Sequence, residues 1–167
     1  MSNPILIDPL KYAREGRAQS GKMAVAALDE RVLAELAGRD GEVEYTLTGY
    51  VDRLRRPCLR LELAARVLVV CGRCLEAMFV DVKADSVVTL FTSEERLLAA
   101  VEDDEELDAI IAEPELDARA LIEDEIIMGL PLSPLHDDCG SEELERARAK
   151  KPNPFAVLAS LKTSRSE

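Results

Sequence analysis

Three stretches of this sequence alternate apolar and polar residues with period two, and only short connections separate them. Val43, Tyr45 and Leu47 alternate with Glu42, Glu44, Thr46 and Thr48. Leu59, Leu61 and Leu63 alternate with Arg60, Glu62 and Ala64 in a run that continues to Val70, and a Val-rich run extends from Phe79 to Phe91. Successive side chains of a strand point to opposite faces, so such alternation puts one face in a core and the other in water. Asp52 to Pro57 reads as the first turn; the CGRC segment and Thr92-Ser93-Glu94 bound the third run. Strands joined this closely pair as antiparallel neighbours, because a parallel pair needs a long crossover. The pattern predicts an α+β domain on an antiparallel β-meander, which a partly closed barrel would also satisfy, with covering helices and a C-terminal tail.

Two helices flank this pattern. Val25, Leu28, Val32, Leu33 and Leu36 have helical spacing and stop at Gly38 and Gly41, which predicts a helix near 26–37. Asp117 can cap a helix over 118–129, in which Leu121, Ile122, Ile126 and Ile127 form an apolar stripe ended by Gly129 and Pro131. That helix should cover one face of the sheet. Residues 1–22 mix Pro4, Pro9, Gly16 and Gly21 with charge and read as a loose N-terminal arm, with a short strand at Pro4 to Ile7. The α+β domain then occupies 23–131 and includes a mobile acidic excursion at 94–117, interrupted by Pro114. Residues 132–167 are a loop and a C-terminal tail.

Apolar residues make up 47% of the chain, which excludes wholesale disorder, while 4% aromatics and no Trp make the core aliphatic. No apolar run approaches the ~20 residues of a membrane span, and MSNPILIDPLKYAREGR lacks the apolar stretch of a secretory signal. A cytoplasmic location is the expectation, and there four cysteines act as thiols or metal ligands rather than disulfides. The net charge of −12 is unevenly spread. Residues 1–75 hold 12 Lys and Arg against 10 Asp and Glu, residues 76–145 hold 3 against 22, and residues 146–167 hold 6 against 1. The acidic middle, densest at Glu102, Asp103, Asp104, Glu105 and Glu106, is either a solvated face or a docking surface that attracts basic proteins and repels RNA phosphates. Direct RNA contact would fall to the basic half and the tail, in particular Arg53, Arg55, Arg56, Lys150 and Lys151.

Local chemistry is densest at Cys71-Gly72-Arg73-Cys74, at the turn between the second and third strands. A C-x-x-C on a tight turn brings two sulfurs near one metal ion, and His136-Asp137-Asp138-Cys139 supplies a second pair with H-x-x-C spacing. Together they make the Cys₃His set that structural zinc prefers, although 61 intervening residues are too many for a standard finger. The alternatives are that Cys71 and Cys74 pack as small hydrophobes while His136 caps a loop, or that the pair is redox-active, which would want a helix N-terminus after Cys71. Cys58 has no spacing partner and reads as packing.

In this order, CGRCLE at 71–76, EDEIIMGLPLSPLHDDC at 123–139 and KPNPFAVLASLK at 151–162 resemble the proteobacterial YceD family, the large ribosomal RNA subunit accumulation proteins. The resemblance extends from the GEVEYTLTGY strand at 41–50 through the tail. It implies a bacterial cytoplasmic factor for 23S rRNA accumulation, acting in synthesis, processing or assembly of the large subunit, with no enzymatic activity. The family's cysteine pair corresponds to Cys71 and Cys74, and its His-containing loop to the loop of His136.

The residues themselves also argue against an enzyme: there is one histidine, no nucleophile elbow, no phosphate-binding glycine loop and no positioned acid pair. Glu102 to Asp108 lacks the alternation and glycine of a calcium loop. In the tail, Asn153 can cap a short helix with Pro154 at its first position, on which Phe155, Leu158 and Leu161 form an apolar stripe among cations. That stripe either packs back on the sheet or anchors in a partner's groove. The expected role is a non-catalytic factor in large-subunit biogenesis whose partners are the pre-50S particle, rRNA or basic ribosomal proteins, without membrane or small-molecule substrate. A zinc-stabilised protein-interaction module without RNA contact is the alternative.

Overall fold

In a computed structural model of the chain, residues 4–137, 139–140 and 145–146 are described. Three long strands form its centre: β3 (Gly41–Val51), β4 (Pro57–Val70) and β5 (Ala77–Phe91). They occupy the three runs that alternate in sequence, and each pairs antiparallel with the next. The register carries the alternation across the sheet, because Val43 faces Ala65 and Ala65 faces Val82, while Tyr45 faces Leu63 and Leu63 faces Ala84. One face is therefore continuous apolar core, and the other is a charged ladder in which Glu42, Arg66 and Asp81 stand side by side. Arg66 on that face lies over the ring of Phe79, 5.1 Å from its centre.

The first turn is closed by Asp52. Its carboxylate accepts from the Arg56 backbone N–H at 2.7 Å and from Arg56 Nε at 2.6 Å, while Arg55 takes a left-handed backbone with φ of 61°.

The N-terminal residues are not a loose arm. Leu6–Ile7 form β1, Pro9–Arg14 form α1, and Ala18–Ala24 form β2, which adds to β3 as an antiparallel edge strand. Asp8 caps α1 through the Lys11 N–H and Pro9 sits at its start; Tyr12 and Ala13 are buried against β3, and the Tyr12 hydroxyl donates to the Leu47 carbonyl. β2 escapes a sequence reading because its side chains lie at the sheet edge and show no apolar alternation.

The helix expected at 26–37 is also replaced. Val25–Ala27 make a single 3₁₀ turn, the chain extends at Leu28, and Asp29 caps a short α2 (Glu30–Leu33) by accepting from the Arg31 N–H. The helical spacing of Val25, Leu28 and Val32 still serves, since all three are buried in the core.

The acidic segment 94–117 is organised as secondary structure. It holds α3 (Glu94–Asp103), β6 (Ala109–Ile111) and β7 (Leu116–Asp117). β6 joins the sheet parallel to β5, and α3 is the crossover that a parallel pair requires. β7 pairs with β1 in a separate two-stranded sheet. The five-stranded sheet runs β2-β3-β4-β5-β6 and is open, with unpaired edges at β2 and β6 among the described residues, so no barrel closes.

Helix α4 (Ala118–Gly129) lies where Asp117 and the apolar stripe place it. Ile122 and Ile126 are fully buried, Leu121 and Ile127 partly so. Beneath the helix, Glu123 is buried and accepts from the Asp29 N–H at 2.9 Å, from Arg119 Nε at 3.3 Å and from Arg31 at 3.3 Å, tying α4 to the cap of α2. No helix among the described residues is long and apolar enough to cross a membrane.

Candidate metal centre

The β4–β5 connection is a tight hairpin tip. The Cys71 N–H donates to the Glu76 carbonyl at 2.9 Å and the Leu75 N–H to the Cys71 carbonyl at 3.0 Å, with Leu75 in the left-handed region at φ of 63°. After α4 ends at Gly129, residues 133–135 lie against this tip. The Gly72 N–H donates to the Pro134 carbonyl at 2.8 Å, and a Cβ on Gly72 would stand 2.9 Å from Ser133 Oγ, so any larger residue there would turn the Ser133 hydroxyl aside. On the other flank, an Arg73 guanidinium N–H donates to the Cys139 carbonyl.

These contacts bring together four side chains from two distant parts of the sequence. The Sγ atoms of Cys71, Cys74 and Cys139 and a ring nitrogen of His136 all lie within 4.8 Å of one another. Cys71 and Cys139 Sγ are 3.4 Å apart, and Cys74 Sγ is 3.3 Å from His136 Nδ1. In a tetrahedral zinc site with ~2.3 Å Zn–S bonds, sulfur pairs are separated by about 3.8 Å, so the four donors are already at nearly the right mutual spacing. Cys71 is fully buried, and the other three are half-buried.

The electrostatics suit a cation. Backbone N–H groups, that of Cys74 foremost, then those of Arg73 and His136, point at the Cys71 sulfur and hold its pKa at about 5 against the opposing effect of burial. The Cys139 thiol is pushed up, first by burial and then by the neighbouring sulfurs of Cys71 and Cys74. Three sulfurs and an imidazole this close together are a soft donor set, and a bound divalent ion would offset the repulsion among thiolates.

Cys58 lies apart from this group, buried at the start of β4 with its sulfur 3.7 Å from Thr89 Oγ1. Glu102, Asp103, Asp104, Glu105 and Glu106 are all exposed, at the end of α3 and in the link to β6. Of the three candidate arginines, Arg53 and Arg55 are exposed, while Arg56 is committed to Asp52. Lys150, Lys151, Phe155, Leu158 and Leu161 lie outside the described residues. The sequence did not single out Arg73 or the Ser133–Pro134 backbone as supports of the cysteine cluster; glycine in the middle of the C-x-x-C was the one signal of a close approach.

The family model for the large ribosomal RNA subunit accumulation protein YceD matches residues 59–162, a span that takes in both halves of the cysteine–histidine cluster. The chain belongs to the YceD family. The Haemophilus influenzae large ribosomal RNA subunit accumulation protein YceD is 30% identical to it across 95% of each chain. No solved structure is significantly similar. The family name connects the chain with accumulation of the large-subunit ribosomal RNA.

Proposed function

We propose that this YceD-family chain is a non-catalytic factor of large-subunit biogenesis in the bacterial cytoplasm, and that it supports 23S rRNA accumulation by binding the pre-50S particle. The observation that carries the reading is the family match across most of the chain, with its name. The separation of charge supports a division of labour. The exposed acids Glu102 to Glu106 receive basic ribosomal proteins, while Arg53 and Arg55, with Lys150 and Lys151, contact rRNA phosphates. Arg56 holds its own turn and drops out of that set. Phe155, Leu158 and Leu161 anchor the tail on a partner. The cysteine–histidine cluster takes zinc as a structural ion that fastens residues 133–140 to the hairpin tip.

Ultraviolet crosslinking of the tagged chain in cells, followed by sequencing of the recovered RNA, tests this. Enrichment of 23S fragments is expected. The convergence of the Cys₃His donors favours a second reading, a zinc-stabilised interaction module that touches only proteins. Recovery of ribosomal proteins without 23S fragments would select that reading instead.

A further inference from the structure

The basic partner just proposed needs a place to sit, and the backbone offers one. Strand β6 is the last strand of the sheet. The Asp108 carbonyl accepts from the Thr89 N–H at 2.8 Å and the Ala112 N–H donates to the Phe91 carbonyl at 2.7 Å, so the peptide groups of 108, 110 and 112 face β5. Peptide groups alternate in direction along a strand, and those of Ala109 and Ile111 therefore point away from the sheet. No hydrogen-bond partner for them stands among the described residues. The Ile111 side chain is 42% exposed beside this open edge.

Charge selects what can add there. Glu102 to Glu106 and Asp108 precede the strand, Glu113 and Glu115 follow it, all are exposed, and none forms an ion pair among the described residues. No Lys or Arg stands between Arg96 and Arg119. At the opposite free edge, β2, Lys22 is paired with Glu44, and just before it Arg17 is paired with Glu15 at 2.7 Å. The two ends of one sheet thus differ in charge: β2 has its charges matched, while the acids around β6 have no ion-pair partner among the described residues and attract a cationic chain. The apolar edge strand itself carries no charge, but the acids on both sides of it repel like-charged edges and leave the site open for an oppositely charged segment.

We infer that an extended Lys/Arg-rich peptide segment of a partner protein adds as a sixth strand beside β6. The outward N–H and C=O groups of Ala109 and Ile111 would hold its backbone, and the flanking carboxylates its cations. The inference rests on the reading that the acidic segment receives basic proteins, and adds the mode of binding.

The test uses the full chain and a blocked seven-residue peptide of alternating Lys and Val. Its binding at low salt is compared with that of the same peptide carrying a fully N-methylated backbone, and of a peptide with Glu for Lys. Strand addition predicts binding of the first, a loss of about tenfold or more on N-methylation at unchanged charge, and no binding of the third. It also predicts slowed hydrogen exchange at the Ala109 and Ile111 amides. Ile111→Pro, which removes an outward N–H and leaves the bonds of 110 and 112 to β5, should reproduce the loss at unchanged melting temperature. Equal binding of the normal and N-methylated peptides would overturn strand addition and leave capture by charge intact. Failure of both to bind would overturn the two together. Concentration-dependent dimers that protect the same amides would assign the edge to a second copy and overturn the inference.

Discussion

Removing the metal tie should lower stability by an amount that the loop it closes sets. The ligand pairs Cys71/Cys74 and His136/Cys139 belong to segments separated by 61 residues, which include β5, α3, β6, β7 and α4. A crosslink across a loop of that length removes about 14 cal/mol/K of entropy from the unfolded chain, or ~4 kcal/mol at 25 °C. For a chain of this size each 1 kcal/mol moves the melting temperature by about 2–4 °C, so loss of the tie should lower it by about 8–16 °C. The direct perturbation is Cys74→Ser with Cys139→Ser, which leaves the buried Cys71 in place. The parallel one is chelation of the wild type. Thermal unfolding by circular dichroism reads both, and elemental analysis of the purified chain gives the metal content, expected as one zinc per chain. Chelation should leave the double variant unmoved, because it has already lost two of the four donors. A metal-free protein whose melting temperature changes by less than about 2 °C in the double variant would refute the reasoning, and the four side chains would then be packing alone.

Three further outcomes follow from the same geometry. Replacing Glu102, Glu105 and Glu106 by Gln and Asp103 and Asp104 by Asn should weaken pull-down of basic ribosomal proteins at low salt while the melting temperature holds, since all five are exposed; a parallel loss of stability would mean that these acids hold the fold. Gly49→Ala should destabilise by about 1–3 kcal/mol in urea titrations, because its Cβ would stand 2.6 Å from the Tyr12 carbonyl oxygen and 2.8 Å from Ala13 Cα and push α1 off the sheet. Asp52 has a pKa below the usual carboxylate range: burial raises it, but the Arg56 backbone N–H and guanidinium lower it further. A carboxyl lowered in the folded state contributes stability that is complete above its unfolded value of about 3.9 and is lost as pH falls through the folded value. Asp52→Asn should therefore destabilise the protein at pH 7 by about 1 kcal/mol and flatten the acid limb of its stability profile, whereas an unchanged limb would show that the turn does not depend on the charge.

The sequence alone determined what short range physics can encode. β3, β4 and β5 lie where period-two alternation puts them, because a side chain's face depends only on its place in its own strand. Asp117 and the stripe of Ile122 and Ile126 likewise mark α4, because a cap and a helical face are written within four residues of each other. The C-x-x-C and H-x-x-C pairs were legible as donors. The tertiary structure decided what depends on partners distant in the chain. β2 is a strand because β3 offers it a ladder, although its own side chains carry no alternation. The apolar spacing at 25–36 is cut by Asp29, whose N–H is taken by a carboxylate 94 residues away, and so becomes a turn and a short helix instead of one long helix. The acidic segment becomes a crossover because β6 finds the free edge of β5, where Ile110 packs partly buried against the core. That the two donor pairs meet follows from the path of the chain from the end of α4 to Gly72, and no local pattern specifies the distance between segments that only a whole fold brings together.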